Sequence, residues 1–295
     1  MSEATDRFQR ARADIEADRP VDIAETYRII EAAAREGDPE ALLFEAYALG
    51  IGYGCDVDLT LAFENIYIAD EAGAPDATPQ ADMMNLGGDL ASWIAPRPIE
   101  YVHEAPRIGM SRGFIDAELC AWLVDRARPL QEATLVYDPG TGRPVQDASR
   151  TNTAGTFKLS DLNMPLILLR HRIANTLAVS QVNFERTSIF RYEVGQAFTD
   201  HADYISTDFS AEIRARGQRP HTFLVYLNEA FAGGQTNFLA INKKIRGGVG
   251  DALFWRNVDE QGAPDPMTQH AGDPPTSGKK WLLSQFIRDK AQMPG

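Results

Sequence analysis

The stretch YEVGQAFTDHADY, residues 192–204, decides how this chain is read. If it closes a β-strand, His201 and Asp203 stand two residues apart and leave the same face, so an imidazole and a carboxylate lie side by side. That pair alone is an incomplete metal site. Of the five histidines, the one on a later β-rich stretch, with a polar turn before it and a glycine after it, is His270 in MTQHAGDPP. Two histidines and one carboxylate on one triangular face of an octahedron hold Fe(II) and leave the remaining positions open for reactants. Spacing alone leaves open whether the three meet, because such a set arises by chance in many chains.

Outward from that stretch the chain is β-rich. The runs FERTSIFRYE, TFLVYLN, DALFW and WLLSQFIR, separated by Gly, Pro and Asn turns, predict short strands of a sandwich or jelly roll. Upstream, FIDAELCAWLVDRARP predicts one amphipathic helix with Asp116 as its N-cap, and a second helix is expected near Met164 to Leu177. Between them, residues 138–155 are polar and turn-rich, the composition of a mobile loop or an active-site lid. Pro96, Pro98 and Pro106 break the preceding helical pattern. The domain boundary is therefore drawn there, with residues 1–97 as one domain and 98–295 as the other.

Residues 21–95 carry Ala, Leu and Glu at helical spacing, and Gly37, Pro39 and Ala41 recur as Gly73, Pro75 and Ala77. A helix pair per period, punctuated by Gly and Pro turns, is the pattern of a solenoid. The stretch resembles the Sel-one-like branch of the tetratricopeptide repeats, with a glycine-rich turn from Gly50 to Gly54; a plain helical bundle is the alternative. The fold class expected is α+β, an N-terminal α-helical repeat domain followed by a double-stranded β-helix (jelly roll) with flanking helices.

Composition narrows the function. A chain of 295 residues with 44% hydrophobic and 24% charged side chains folds around a core. Its net charge of −13 repels phosphate backbones, so nucleic acid is not an expected partner. No apolar run reaches the length of a membrane span, and MSEATDRFQRARADIEADRP lacks the apolar stretch of a secretory signal, which points to the cytoplasm. Cys55 and Cys120 fall in different domains inside apolar patterns, so both read as small core side chains.

The second domain resembles the prolyl 4-hydroxylase family of 2-oxoglutarate- and Fe(II)-dependent dioxygenases from Glu100 to Arg288. The matching positions run in order: Tyr192, Gly195, Phe198, His201 and Asp203; Arg219, Thr222, Tyr226, Leu227 and Asn228; Gly233, Gly234, Thr236 and Phe238; Gly250 and Asp251; His270, Gly272 and Pro274; Gly278, Lys280 and Trp281. Arg150 and Thr151 match an R-T-S signature, with Asn152 standing where serine is usual.

The resemblance implies that His201, Asp203 and His270 ligate iron. It implies that Lys280 meets the distal carboxylate of 2-oxoglutarate, with Tyr192 and Thr222 supplying hydroxyls. The physics agrees for the lysine, since a buried ammonium is costly unless an anion meets it. Arg150 and Trp255 are candidates for substrate contact, the latter expected near the entrance. The implied reaction is hydroxylation of a prolyl or other residue of a peptide or protein. O2 is consumed, 2-oxoglutarate is decarboxylated to succinate, and ascorbate is the expected reductant. The alternatives are a non-catalytic adaptor using the repeats, a cupin-like metal enzyme without cosubstrate, and a hydroxylase of a free small molecule.

Overall fold

A computed structural model of the chain describes residues 2–137 and 144–292; the first part of the expected loop or lid, residues 138–143, lies outside the described residues. The helices are α1 Glu3–Glu16, α2 Ile23–Arg35, α3 Pro39–Ile51, α4 Leu59–Glu71, α5 Ala77–Gly87, α6 Leu90–Ile94, α7 Ala117–Ala127, α8 Met164–Leu177 and α9 Ser210–Arg216. Aspartates open them where the sequence turns: the side chains of Asp22, Asp38 and Asp58 accept the backbone N–H of Glu25, Ala41 and Leu61. Each satisfies a donor that a helix start would otherwise leave bare.

Two compact units result. The first is the chain up to Pro96 together with Phe157–Val182; the second is Arg97–Thr156 with Asn183–Gln292. The first cut falls beside the proline-rich boundary, whereas α8, assigned from sequence to the second domain, belongs to the first unit. Its composition explains why. MPLILLRHRIANTL is buried along most of its length and needs apolar partners on more than one side. Ile167 packs so closely on Gly50 of α3 that a Cβ there would meet Ile167 Cγ2 at 2.7 Å. Gln80 Oε1 accepts the Met164 N–H at 2.8 Å, and His171 Nε2 meets the Gly50 carbonyl at 2.7 Å. Packed by α2, α4 and α8, α3 is apolar nearly all round, as a helix without a solvent face must be.

The second unit is antiparallel β-structure. Its strands are β1 Glu100–His103, β2 Ile108–Ser111, β3 Gln131–Ala133, β4 Val136–Tyr137, β5 Pro144–Val145, β6 Thr153–Thr156, β7 Ser188–Tyr192 and β8 Phe198–His201. They continue as β9 His221–Tyr226, β10 Phe231–Gly233, β11 Thr236–Phe238, β12 Lys243–Ile245, β13 Ala252–Arg256, β14 His270–Gly272, β15 Pro275–Gly278 and β16 Lys280–Ile287. An eight-stranded sheet runs β1-β2-β13-β9-β16-β7-β6-β3, and a four-stranded one runs β12-β11-β14-β8. Phe238 and Ile245 of the smaller sheet share one buried cluster with Leu224, Leu253, Trp255 and Leu282 of the larger, so the sheets face each other. Among the described residues no helix is long and apolar enough to cross a membrane.

Candidate metal centre

Between the sheets lies a cavity lined from both sides, and residues distant in sequence meet in it. Strand β8 ends at His201, and Asp203 enters from the turn that follows, where Ile205 is tied by its N–H and carbonyl to the Gln218 amide at 2.6 and 2.8 Å. The register pairs His201 with His270 across β8 and β14. Their rings lie 4.2 Å apart; Asp203 Oδ1 is 3.6 Å from His201 Nε2, and Asp203 Oδ2 is 3.7 Å from His270 Nε2. Among the described residues these three form the one His/Cys/Asp/Glu group gathered closely enough to hold a metal ion.

The donor set suits a divalent metal. His201 Nδ1 meets the carbonyl of Thr199 at 2.8 Å, and His270 Nδ1 meets that of Thr268 at 3.0 Å. A carbonyl only accepts, so each Nδ1 carries the proton and each Nε2 lone pair is left for the cavity. Burial, reinforced by the neighbouring His270, pushes His201 down to about 3, which keeps its imidazole neutral and able to ligate. Asp203 lies below its ordinary range: burial opposes ionisation, and the imidazoles together with the Thr222 hydroxyl outweigh it. Two imidazoles and one carboxylate fit Fe(II), and no thiolate is among them.

Lys280 stands at the other end. It is 1% exposed, opposite Tyr192 in the β16–β7 register, and its Nζ donates to the Gly234 carbonyl at 2.8 Å. Gly233 and Gly234 make a tight turn between β10 and β11, with φ of +69° and +66°. A Cβ on Gly233 would meet the Pro274 carbonyl oxygen at 2.8 Å, and one on Gly234 would crowd Lys280 Cδ at 3.3 Å. Among the described residues no carboxylate lies within ion-pair distance of Lys280. Burial lowers it to about 7, against a small opposing pull from Asp273. The faces of Tyr192 and Tyr226 lie 5.2 and 5.6 Å from Nζ.

Two expectations are corrected. Thr222 does not have a hydroxyl proton to offer a cosubstrate: Thr222 Oγ1 donates to Asp203 Oδ2 at 2.7 Å and accepts from Asn257 Nδ2 at 2.9 Å. Trp255 is not at an entrance. It lines the cavity from within but is fully buried, with its ring edge-to-face on His270 at 4.7 Å and on Phe238 at 5.2 Å, and so it backs the His270 imidazole. Arg150 does line the cavity, its guanidinium 4.4 Å from the Phe198 ring and 4.9 Å from that of Phe190. Asn152, in the position where serine is usual, accepts from Arg150 Nε at 3.3 Å.

Sequence reasoning passed over Asn257 and quoted Thr236 as a motif position without giving it a role. The latter lines the cavity, and its hydroxyl lies 3.3 Å from that of Tyr226. One signal was available: both ligand histidines follow a threonine by two residues, in Thr199-Asp200-His201 and Thr268-Gln269-His270, and those threonine carbonyls fix the tautomers.

Residues 187–288 match the 2OG-Fe(II) oxygenase superfamily. Prolyl 4-hydroxylase 1 of Arabidopsis thaliana is 31% identical over 206 residues, covering 65% of this chain and 72% of the relative. Probable prolyl 4-hydroxylase 10 of the same plant is 27% identical over 211 residues, covering 65% and 72%. Among solved structures, the 2OG complex of the viral collagen prolyl hydroxylase from Paramecium Bursaria Chlorella virus-1 is 24% identical, with a TM-score of 0.48, covering 61% of this chain and 95% of that one.

Proposed function

The chain belongs to the prolyl 4-hydroxylase family of the 2OG-Fe(II) oxygenases, and from that premise we propose that it hydroxylates a prolyl residue of a peptide or protein. It is a 2-oxoglutarate-dependent dioxygenase. When bound, iron(II) and 2-oxoglutarate supply the oxidising chemistry: O2 is consumed, 2-oxoglutarate leaves as succinate and CO2, and one oxygen atom enters a substrate C–H bond.

The protein's own residues do the rest. His201, Asp203 and His270 hold the metal, and Lys280 receives the far carboxylate of 2-oxoglutarate. The observation that carries this reading is the pairing of a His-Asp-His group with a buried ammonium that has no carboxylate partner among the described residues, both lining one cavity. Tyr192, 4% exposed and raised by burial to about 12, stays protonated and supplies a hydroxyl at the same end. In place of Thr222, the hydroxyl of Thr236, which lines the cavity, supplies a second neutral donor there. Phe190, Phe198, Leu224 and Leu282 keep the cavity dry, which strengthens each charge contact inside it. Arg150, stacked between two rings and held by Asn152, is placed to orient the substrate.

We infer further that α2–α5 form two Sel-one-like repeats that dock the protein substrate. The period of 36 residues supports this: Gly37 and Gly73 both adopt a left-handed φ, +82° and +83°, at helix ends, and Ala41 and Ala77 are both fully buried at helix starts.

The test is to load the metal-free protein with Fe(II), ascorbate and 2-oxoglutarate and to supply proline-containing peptides. Succinate release coupled to a 16 Da gain on proline is expected. Turnover without any peptide oxidation, or oxidation of residues other than proline alone, overturns the prolyl assignment.

A further inference from the structure

Asp203 is held by a polar chain that the metal site does not by itself require. Asn257, fully buried just beyond β13, donates from Nδ2 to Thr222 Oγ1 at 2.9 Å, and Thr222 Oγ1 donates to Asp203 Oδ2 at 2.7 Å. Thr222 is 1% exposed and Asp203 5%, so water does not compete with either bond.

The direction of this chain is forced. An ionised carboxylate only accepts, so the single Thr222 proton points at Asp203; the hydroxyl oxygen is then an acceptor, and only the amide NH2 of Asn257 can face it. The flipped amide would set Asn257 Oδ1 against hydroxyl lone pairs and is excluded on that ground. In the orientation that remains, Asn257 Oδ1 is buried without a hydrogen-bond partner among the described residues. An unmatched buried acceptor is destabilising, so an apolar side chain of the same shape would serve stability better. The backbone of Asn257 is pinned on both sides, its N–H to the Pro220 carbonyl at 2.8 Å and its carbonyl to the Asp265 N–H at 3.0 Å. The side chain is thus delivered rigidly to one place for one N–H donation.

We propose that Asn257 is a positioning residue of the metal centre, acting through Thr222 to tie Asp203 Oδ2 and leave Oδ1 as the oxygen presented to the metal. The proposal rests on the reading of Asp203 as a ligand. Oδ1 carries no hydrogen bond among the described residues, whereas Oδ2 has its hydroxyl partner. Without Asn257, the Thr222 hydroxyl is free to rotate, and the carboxylate loses the contact that sets its plane.

The experiment is a titration of the metal-free protein with Co(II), comparing wild type with Asn257→Leu, Asn257→Asp, Thr222→Val, Thr222→Ser and the Asn257→Leu/Thr222→Val double variant. Thermal unfolding without metal selects the folded variants. Asn257→Leu and Thr222→Val are each expected to weaken Co(II) binding about 10–100-fold, the usual loss for a group that orients a ligand. The double variant is expected to lose no more than the worse single, because the two act in series. Thr222→Ser, which keeps the hydroxyl, is expected to stay near wild type. Asn257→Asp, folded but with an acceptor facing Thr222, is expected to bind as weakly as Asn257→Leu. Wild-type affinity in either folded Asn257 variant, or losses that add in the double variant, overturns the proposal. A His270→Ala control that binds Co(II) like wild type overturns the metal reading itself, and the proposal with it.

Discussion

The two ends of the cavity are built on opposite plans. At the metal end the ligand residues are hydrogen-bonded in advance: both imidazoles to threonine carbonyls, and the carboxylate to Thr222 and through it to Asn257. At the other end Lys280 is sealed from water with one carbonyl as its hydrogen-bond acceptor. The first end is satisfied before any ligand arrives; the second is short of an anion. The contrast teaches how the chemistry is divided. Ligands must be aimed, so the protein orients them with neutral bonds that survive in the empty state. The proposed cosubstrate must come and go, and Lys280 offers the unmet charge that its far carboxylate would complete. The chain's net charge of −13 does not describe this cavity, because no Lys or Arg lies between Arg35 and Arg97 and the acidic excess belongs to the helical unit.

The comparison breaks most visibly at the metal end. His270→Ala is expected to weaken Co(II) binding about 10²–10³-fold, since metal sites of about 10–16 kcal/mol over four ligands place ~2.5–4 kcal/mol on each. Binding of 2-oxoglutarate by the metal-free protein should barely change. Calorimetric titration with each ligand separates the two.

Lys280→Ala should do the reverse, leaving Co(II) affinity alone and raising the dissociation constant for 2-oxoglutarate by roughly 10²-fold, the scale of about 2–5 kcal/mol for a buried charge pair. In wild type the same contact should depend on pH. The ammonium is the binding form and burial sets it at about 7, so affinity is full below that pH and falls as pH rises, approaching about tenfold per pH unit. A flat profile from pH 6 to 9 in direct binding would show that the cosubstrate is not held by this charge.

The smallest effect is on stability. In the empty protein the Lys280 ammonium is buried at a cost, because its folded value is depressed from the ordinary lysine range to about 7. The unfolded chain therefore binds more protons between about pH 7 and 10.4, so wild-type stability rises with pH across that window. Lys280→Met is expected to unfold later than wild type by about 1–4 kcal/mol near pH 7, with the gap closing toward pH 10. Differential scanning calorimetry of metal-free protein checks both the sign and the pH trend; a less stable Lys280→Met at pH 7 would mean the lysine is already compensated.

Much of this arrangement was legible in the chain. The helices after Asp116 and from Met164 to Leu177 follow from apolar spacing, and the latter has the expected bounds; Asp116 stands at the N-cap position but makes no side-chain capping bond. The four β-rich runs each carry a strand. The strand Thr153–Thr156 was not legible, because TNTAG reads as turn chemistry and becomes a strand only where β7 and β3 offer it partners. The parity of β16 was equally mute: Lys280, Leu282, Ser284 and Phe286 alternate with Trp281, Leu283 and Gln285, and both faces are buried except for a partly covered Phe286. The role of Thr222 was missed for a related reason, since its motif position gives its strand and face but not which neighbour takes its proton.

The residue types of the proposed ligands, their order and most of the secondary structure that carries them could be read from the chain, because these depend on local periodicity and residue chemistry. Tertiary structure alone decided that α8 packs with the helical unit, that Trp255 backs His270, and that Asn257 reaches Asp203 through Thr222. Each of those is a contact between segments far apart in the chain, fixed by which buried polar group must find a partner once two sheets or two helices close, and no local pattern encodes that choice.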